Sequence, residues 1–238
     1  MEPIGSSPRF TARMGGVFYV LLAMSGGLAV FARRGLIVAG DAATTAANIL
    51  AHQSMYLLAF AGDLLFVASY LAVTALFYRM LKPVSRSVSL TAAFFSLIGC
   101  AVLGCAGVFI IAPLTILRGA PYLGVFKVDQ LQALAYLSLK LYSQAYIVSL
   151  VFFAFYCLLT GYLALKSTFL PRIIGGLMML AGLSWLTFLS LLIVPKYFPY
   201  VLAGGVGEAL FALWLLVKGV DAERWKQHAE AARIAEPV

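Results

Sequence analysis

Two carboxylates, Asp63 and Glu208, lie well inside apolar runs of this chain. An ionised carboxylate at bilayer depth is costly or takes up a proton, so such a residue faces a protein interior and is a candidate for handling protons, cations or solutes. Each acid follows a glycine, Gly62 or Gly207, and a glycine there lets a helix or a water approach the backbone. Each also lies about nine residues from the outer end of its span, roughly 13 Å at 1.5 Å per residue. At matched depth the two can share a proton or a cation, or line one polar cavity, with Gln144 of the fourth span as a further hydrogen-bonding group. The alternative is a pair of neutral acids held in structural hydrogen bonds.

A second constellation sits on the same helix as Asp63. Asn48, His52 and Asp63 are spaced by four and eleven residues, within about 60° of one another around a 3.6-residue helix. With Asp41 they offer oxygen and nitrogen ligands of the kind a metal-dependent intramembrane hydrolase uses. The only other histidine, His228, is in the tail, whereas zinc sites are commonly built on two or more His or Cys. His52 is therefore read first as a residue hydrogen-bonding across helices, and no metal is assigned. No GxSxG, HExxH, P-loop or dinucleotide pattern occurs, so no motif implies a cofactor.

These residues need apolar helices to hold them. The segment Asp41–Leu81 opens on a capping residue and carries one glycine and no proline before Lys82-Pro83. It reads as one long helix, with its membrane part at 55–78. The other spans fall at 14–32, 88–112 (closed by Pro113), 141–165, 173–194 and 200–217, followed by a charged cytoplasmic tail, 219–238. The less hydrophobic DQLQALAYLSLK stretch before the fourth span has helical periodicity and extends that span, as Ala42–Ser54 extends the second. Residues 14–32 also resemble a signal peptide, but the apolar run is longer than an ordinary h-region, and it is read as an uncleaved first span. The three cysteines fall inside apolar runs and read as small packing residues.

Composition fixes the class. The 238 residues are 63% hydrophobic and only 11% charged, where soluble domains carry about 25% charge. Lipid must cover the surplus, so the fold is all-α: a polytopic membrane bundle of six transmembrane helices in one domain. The formal charge of +8 sits at the ends of apolar runs, which points to membrane anchoring and away from nucleic acid. With the N-terminus inside, Arg9, Arg13, Arg79, Lys82, Arg86, Lys166, Arg172, Lys218, Arg224, Lys226 and Arg233 face inward. Arg33, Arg34, Arg118, Lys127, Lys140 and Lys196 face outward. Eleven against six puts both termini in the cytoplasm. There is a short internal echo: Arg13-Met14-Gly15-Gly16 against Arg172-Ile173-Ile174-Gly175-Gly176, and Gly62-Asp63-Leu64-Leu65-Phe66 against Gly207-Glu208-Ala209-Leu210-Phe211. The small-residue pairs Ala23/Gly27, Cys100/Gly104 and Ala203/Gly207 predict close helix contacts.

Several short stretches in order carry a resemblance: Gly40-Asp41-Ala42-Ala43 through Asn48, Gly161-Tyr162-Leu163 with Lys166-Ser167, and Phe169-Leu170-Pro171-Arg172. They end with Gly207-Glu208 before Leu213-Trp214-Leu215-Leu216-Val217-Lys218-Gly219. In these the chain resembles the DUF4386 family over about Arg13 to Gly219. The resemblance implies a bacterial inner-membrane protein of six or so helices with no established active site, and it marks Asp41, Asn48 and Glu208 as lying in signature stretches. The expected roles are three: a non-enzymatic protein handling or sensing a small molecule or ion, an accessory subunit packed against a membrane-protein partner, or a metal-dependent intramembrane hydrolase.

Overall fold

The computed structural model describes residues 7–188 and 198–235. Among these the regular structure is helical: α1 (Pro8–Arg34), α2 (Ala42–Ala51), α3 (Gln53–Leu81), α4 (Arg86–Leu117), a 3-10 turn (Pro121–Leu123), α5 (Val128–Lys166), α6 (Arg172–Leu186), α7 (Phe198–Val217) and α8 (Ala222–Ala235). Among the described residues four helices, α1, α3, α4 and α5, are long and apolar enough to cross a membrane, while α6 and residues 204–217 of α7 are shorter apolar stretches. The end of the expected fifth span, 189–194, lies outside the described residues. Large apolar side chains point outward on the long helices, with Phe31 76% and Val108 66% exposed. Only lipid or protein can cover such a surface. The chain is a multi-helix membrane protein.

Local chemistry accounts for most of the ends. Asp41, in extended backbone, caps α2 by accepting the Thr44 N–H at 2.9 Å, as an Asp at that position does. Gly119 (φ 73°) follows α4 and Gly219 (φ 69°) follows α7, both in the left-handed region where glycine is the unstrained choice. The periodic stretch from Val128 is continuous with the fourth span, so α5 runs 39 residues, about 58 Å at 1.5 Å per residue.

Two expectations need correction. The segment 41–81 is not one helix: His52 leaves helical geometry (φ −124°, ψ 43°) and separates α2 from α3. The interruption lies between Ile49 and Tyr56, which are both buried in one cluster with Leu36, Ile110, Leu114 and Leu139, so tertiary packing outweighs local propensity. Pro113 does not end its helix either, since α4 continues to Leu117. Proline removes only its own donor from the helix ladder, here the one that would serve the Phe109 carbonyl; the neighbouring Ile110 carbonyl accepts from the Tyr56 hydroxyl.

The contacts resolve into two compact units. The first comprises Met1–Leu21, Ser69–Gly99 and Ser149–Val238, the second Leu22–Ala68 and Cys100–Val148. In the first, Tyr19 stacks on Phe77, Phe77 meets Phe211, and Tyr70 stacks on Phe153 with ring centroids 4.2 Å apart. Its helices approach at glycines: a Cβ built on Gly16 would lie 2.6 Å from the Leu216 nitrogen, and one on Gly161 2.7 Å from the Gly175 carbonyl. The tail helix α8 belongs here. Its Trp225 donates its indole N–H to the Met80 carbonyl at 2.8 Å. The second unit is built on the Leu36–Ile49–Tyr56 cluster and on a contact of Ala29, Ala32 and Ala59 between α1 and α3.

Candidate functional site

In the second unit α1 and α3 run antiparallel: Gly26 meets Phe66, Ala29 meets Gly62, and Ala32 packs with Ala59. Small residues at these points bring the two backbones close, and a Cβ on Gly62 would sit 3.1 Å from the Ser25 carbonyl. Arg33 is one turn beyond Ala29. Helical side chains lean toward the N-terminus of their helix, so Arg33 reaches back to the level of Gly62 and meets Asp63. The pair is bidentate, with Nη1 to Oδ2 at 2.5 Å and Nη2 to Oδ1 at 2.9 Å. The side chains are only 9% and 17% exposed, and the Tyr142 ring of α5 covers the guanidinium at 5.7 Å. A fork-to-fork pair of this kind fixes direction as well as distance.

Glu208 has different company. In the first unit α6 and α7 pack so closely that a Cβ on Gly207 would lie 2.6 Å from the Leu177 carbonyl, and one on Gly204 2.9 Å from the Ser184 Cβ. That register puts Glu208 beside the last turn of α6, where the Trp185 indole donates to Oε1 at 2.5 Å. The Cys157 thiol of α5 donates to the same oxygen at 3.2 Å. The buried Tyr19 hydroxyl is also directed at this carboxyl, outside regular hydrogen-bond geometry. Among the described residues no cation pairs with Glu208. The group is a carboxyl ringed by neutral donors, fit to hold or pass a proton or to be closed off as a structural hydrogen-bond centre.

The two acids therefore take separate partners in separate units. They share one local design: each follows a glycine pressed onto a helix earlier in the chain, and each takes a donor from the last turn of that helix, Arg33 of α1 or Trp185 of α6. This adds structural correspondence to the Gly-acid echo in the sequence. With both sites described, comparison with known proteins becomes informative. A family profile described as a domain of unknown function, DUF4386, matches residues 14–219. The chain belongs to the DUF4386 family. An Archaeoglobus fulgidus protein, described only as an uncharacterized protein, is 25% identical to this DUF4386 protein over 162 residues, 66% of this chain and 82% of the relative. No solved structure matches it. Both acid clusters of the DUF4386 protein fall within the matched residues, and α8 falls outside them.

The remaining predicted residues of the DUF4386 protein are placed as follows. Asp41 is engaged by Thr44, whose hydroxyl donates at 2.6 Å and whose N–H at 2.9 Å. These bonds hold its pKa below the ordinary carboxylate value. Asn48 donates to the Leu36 carbonyl at 3.4 Å. His52 is exposed at the break between α2 and α3, with no side-chain partner among the described residues. Gln144 is exposed too, and Asp63 is bonded by Arg33 instead. Among the described residues no three His, Cys, Asp or Glu converge. The ligand set imagined for a hydrolase at His52, Asp41 and Asp63 is thus divided, with both acids already engaged. Sequence reasoning missed Arg33, Trp185 and Cys157 as partners. Arg33 read as an interface anchor because it ends a span, and its place in the last turn of α1, within side-chain reach of the apolar segment, was the available signal.

Proposed function

We propose that this DUF4386 protein handles or senses a small ion or charged solute through its intramembrane polar groups, without covalent chemistry. The observation that carries the reading is the Arg33–Asp63 pair, nearly buried between two otherwise apolar helices that are each long enough to span a bilayer. A buried ion pair rarely stabilises a fold more than well-packed apolar side chains do, and an ionisable group at this depth is a functional candidate by default. A charged ligand has direct access to this chemistry. An anion competes with Asp63 for the guanidinium fork, and a proton or cation competes with Arg33 for the carboxylate. Either exchange releases the restraint between α1 and α3. Glu208 with its ring of donors supplies a second proton-holding group in the other unit.

The distribution of charge supports the orientation. All eleven basic residues assigned to the inner side belong to the first unit, and the five described ones assigned to the outer side belong to the second. By the excess of Lys and Arg we place both termini of a six-span bundle in the cytoplasm, in the cell membrane. A second reading, an accessory subunit, is favoured by Gly27 and Gly104, where an added Cβ meets nothing within 4 Å. Those two glycines were expected to make close contacts, and here they leave open helix surface. Purified protein in proteoliposomes separates the readings. Solid-supported-membrane recordings and an internal pH dye are run with Na+, K+, protons and small carboxylates. Charge movement, or a ligand-induced rise in melting temperature, that disappears in Asp63→Asn with the fold intact supports the first reading. A silent panel with a stoichiometric membrane-protein partner on pull-down favours the second.

A further inference from the structure

Within the first unit, the start of α1, the α5–α6 connection and the α7–α8 turn come together around a pocket of about 420 Å³. Three cationic side chains line it, Arg9, Lys218 and Arg224, against one acid, Asp221. That acid is already committed. It accepts the backbone N–H groups of Glu223 and Arg224 at 3.1 and 3.2 Å as the cap of α8, and it pairs with the Arg224 Nε at 3.5 Å. Arg224 in turn donates from Nη1 to the Thr168 carbonyl at 3.2 Å, which fixes its guanidinium at the rim. Arg9 and Lys218 have no partner among the described residues. The pocket thus holds an excess of positive charge and donors without acceptors, with the apolar surface of Phe169 and Trp214 as its other wall.

From this we infer an anion site for a phosphate ester, in which Arg9, Lys218 and Arg224 bind the phosphate oxygens and the Trp214 wall takes the organic group. A phosphate presents several acceptor oxygens to exactly the kind of donors left open here, and arginine suits it by its planar fork. The volume is within the range of pockets that accept organic ligands rather than a bare ion. The site lies where apolar helices α1 and α7 give way to charged chain, the level at which phospholipid headgroups sit, and basic pockets between membrane helices take such headgroups. The source that the position favours is therefore an anionic phospholipid; a soluble phosphate ester has the same chemistry. This site is independent of the Arg33–Asp63 reading, because it uses none of those residues.

The test uses the full-length protein in a zwitterionic detergent-free nanodisc or neutral detergent micelle, titrated calorimetrically with short-chain phosphatidylglycerol and, separately, with glycerol phosphate. Saturable binding of the lipid that weakens as salt rises, and that falls about tenfold or more in Arg9→Gln and again in Arg9→Gln/Lys218→Gln, is the expected result. Binding of lipid alone identifies a headgroup site; equal binding of glycerol phosphate identifies a soluble ester. Lys226→Gln on the same helix as Arg224, but outside the pocket, leaves the affinity unchanged. Arg9→Lys, which keeps the charge, recovers part of what Arg9→Gln loses, and so separates loss of the site from loss of the fold. If the double variant, melting like the parent, binds both probes as tightly as the parent does, or if neither probe binds the parent, the inference is overturned.

Discussion

Asp63→Leu is the most informative single change in this protein. It leaves the Arg33 guanidinium between α1 and α3 without its anion, and removing one member of a buried pair costs about 3–5 kcal/mol. The Asp63 side chain is 17% exposed and that of Arg33 9%, so water reaches the edge of the pair and the lower end, about 3 kcal/mol, applies. The Tyr142 ring at 5.7 Å attracts the guanidinium in parent and variant alike, so it does not offset this loss. Arg33→Leu should cost less, because an abandoned aspartate can take up a proton and a guanidinium cannot release one. The double variant Arg33→Leu/Asp63→Leu, apolar on both sides, should recover to within about 1 kcal/mol of the parent. Reversible unfolding in mixed SDS micelles measures all four corners of the cycle. Additive losses, with a coupling energy below about 0.5 kcal/mol, mean that the pair behaves like an exposed one and the burial argument fails. A milder loss in Asp63→Leu than in Arg33→Leu refutes the asymmetry.

Other consequences can be checked with the same material. Gly207→Ala drives a Cβ to 2.6 Å from the Leu177 carbonyl and should cost about 1–3 kcal/mol by overpacking, whereas Gly27→Ala, in open space, should be neutral or gain up to about 1 kcal/mol; matched thermal melts decide. Trp185→Phe removes the indole donor from Glu208 and should destabilise by about 1–3 kcal/mol, a loss that Glu208→Leu in the same chain should largely cancel when the two are compared by unfolding. Asp41 is held below its ordinary pKa of 3.8 first by the Thr44 hydroxyl and then by the Thr44 N–H. Its folded-state pKa is thus lower than its unfolded one, so its contribution to α2 is complete above 3.8 and drains away as pH falls through the folded value. Amide exchange over residues 44–50 should quicken in that acid range, and Asp41→Asn, which still caps, should remove the pH dependence; an unchanged pH profile in Asp41→Asn contradicts the assignment.

What the chain's own composition and periodicity determined is the class of protein and where its helices lie. A surplus of apolar residues in long unbroken runs can be satisfied only by helices in lipid, and those runs map onto α1, α3, α4 and α5. The same local reading found that residues 128–140 continue the fourth span, that Asp41 caps a helix, and that Asp63 and Glu208 are the two acids set in apolar surroundings. Hydropathy is a sum over neighbours in sequence, and these properties depend on nothing else. Partner choice depends on rotation and register between helices, which small residues far apart in the chain set together. Arg33 and Asp63 are thirty residues apart and meet because Ala29, Ala32, Ala59 and Gly62 let α1 and α3 close up. Trp185 and Cys157 meet Glu208 because Gly204 and Gly207 seat α7 on α6 and Gly182 seats α6 on α5. The interruption at His52 was likewise decided by packing: the cluster that takes both Ile49 and Tyr56 is a set of non-local contacts that no propensity scale contains.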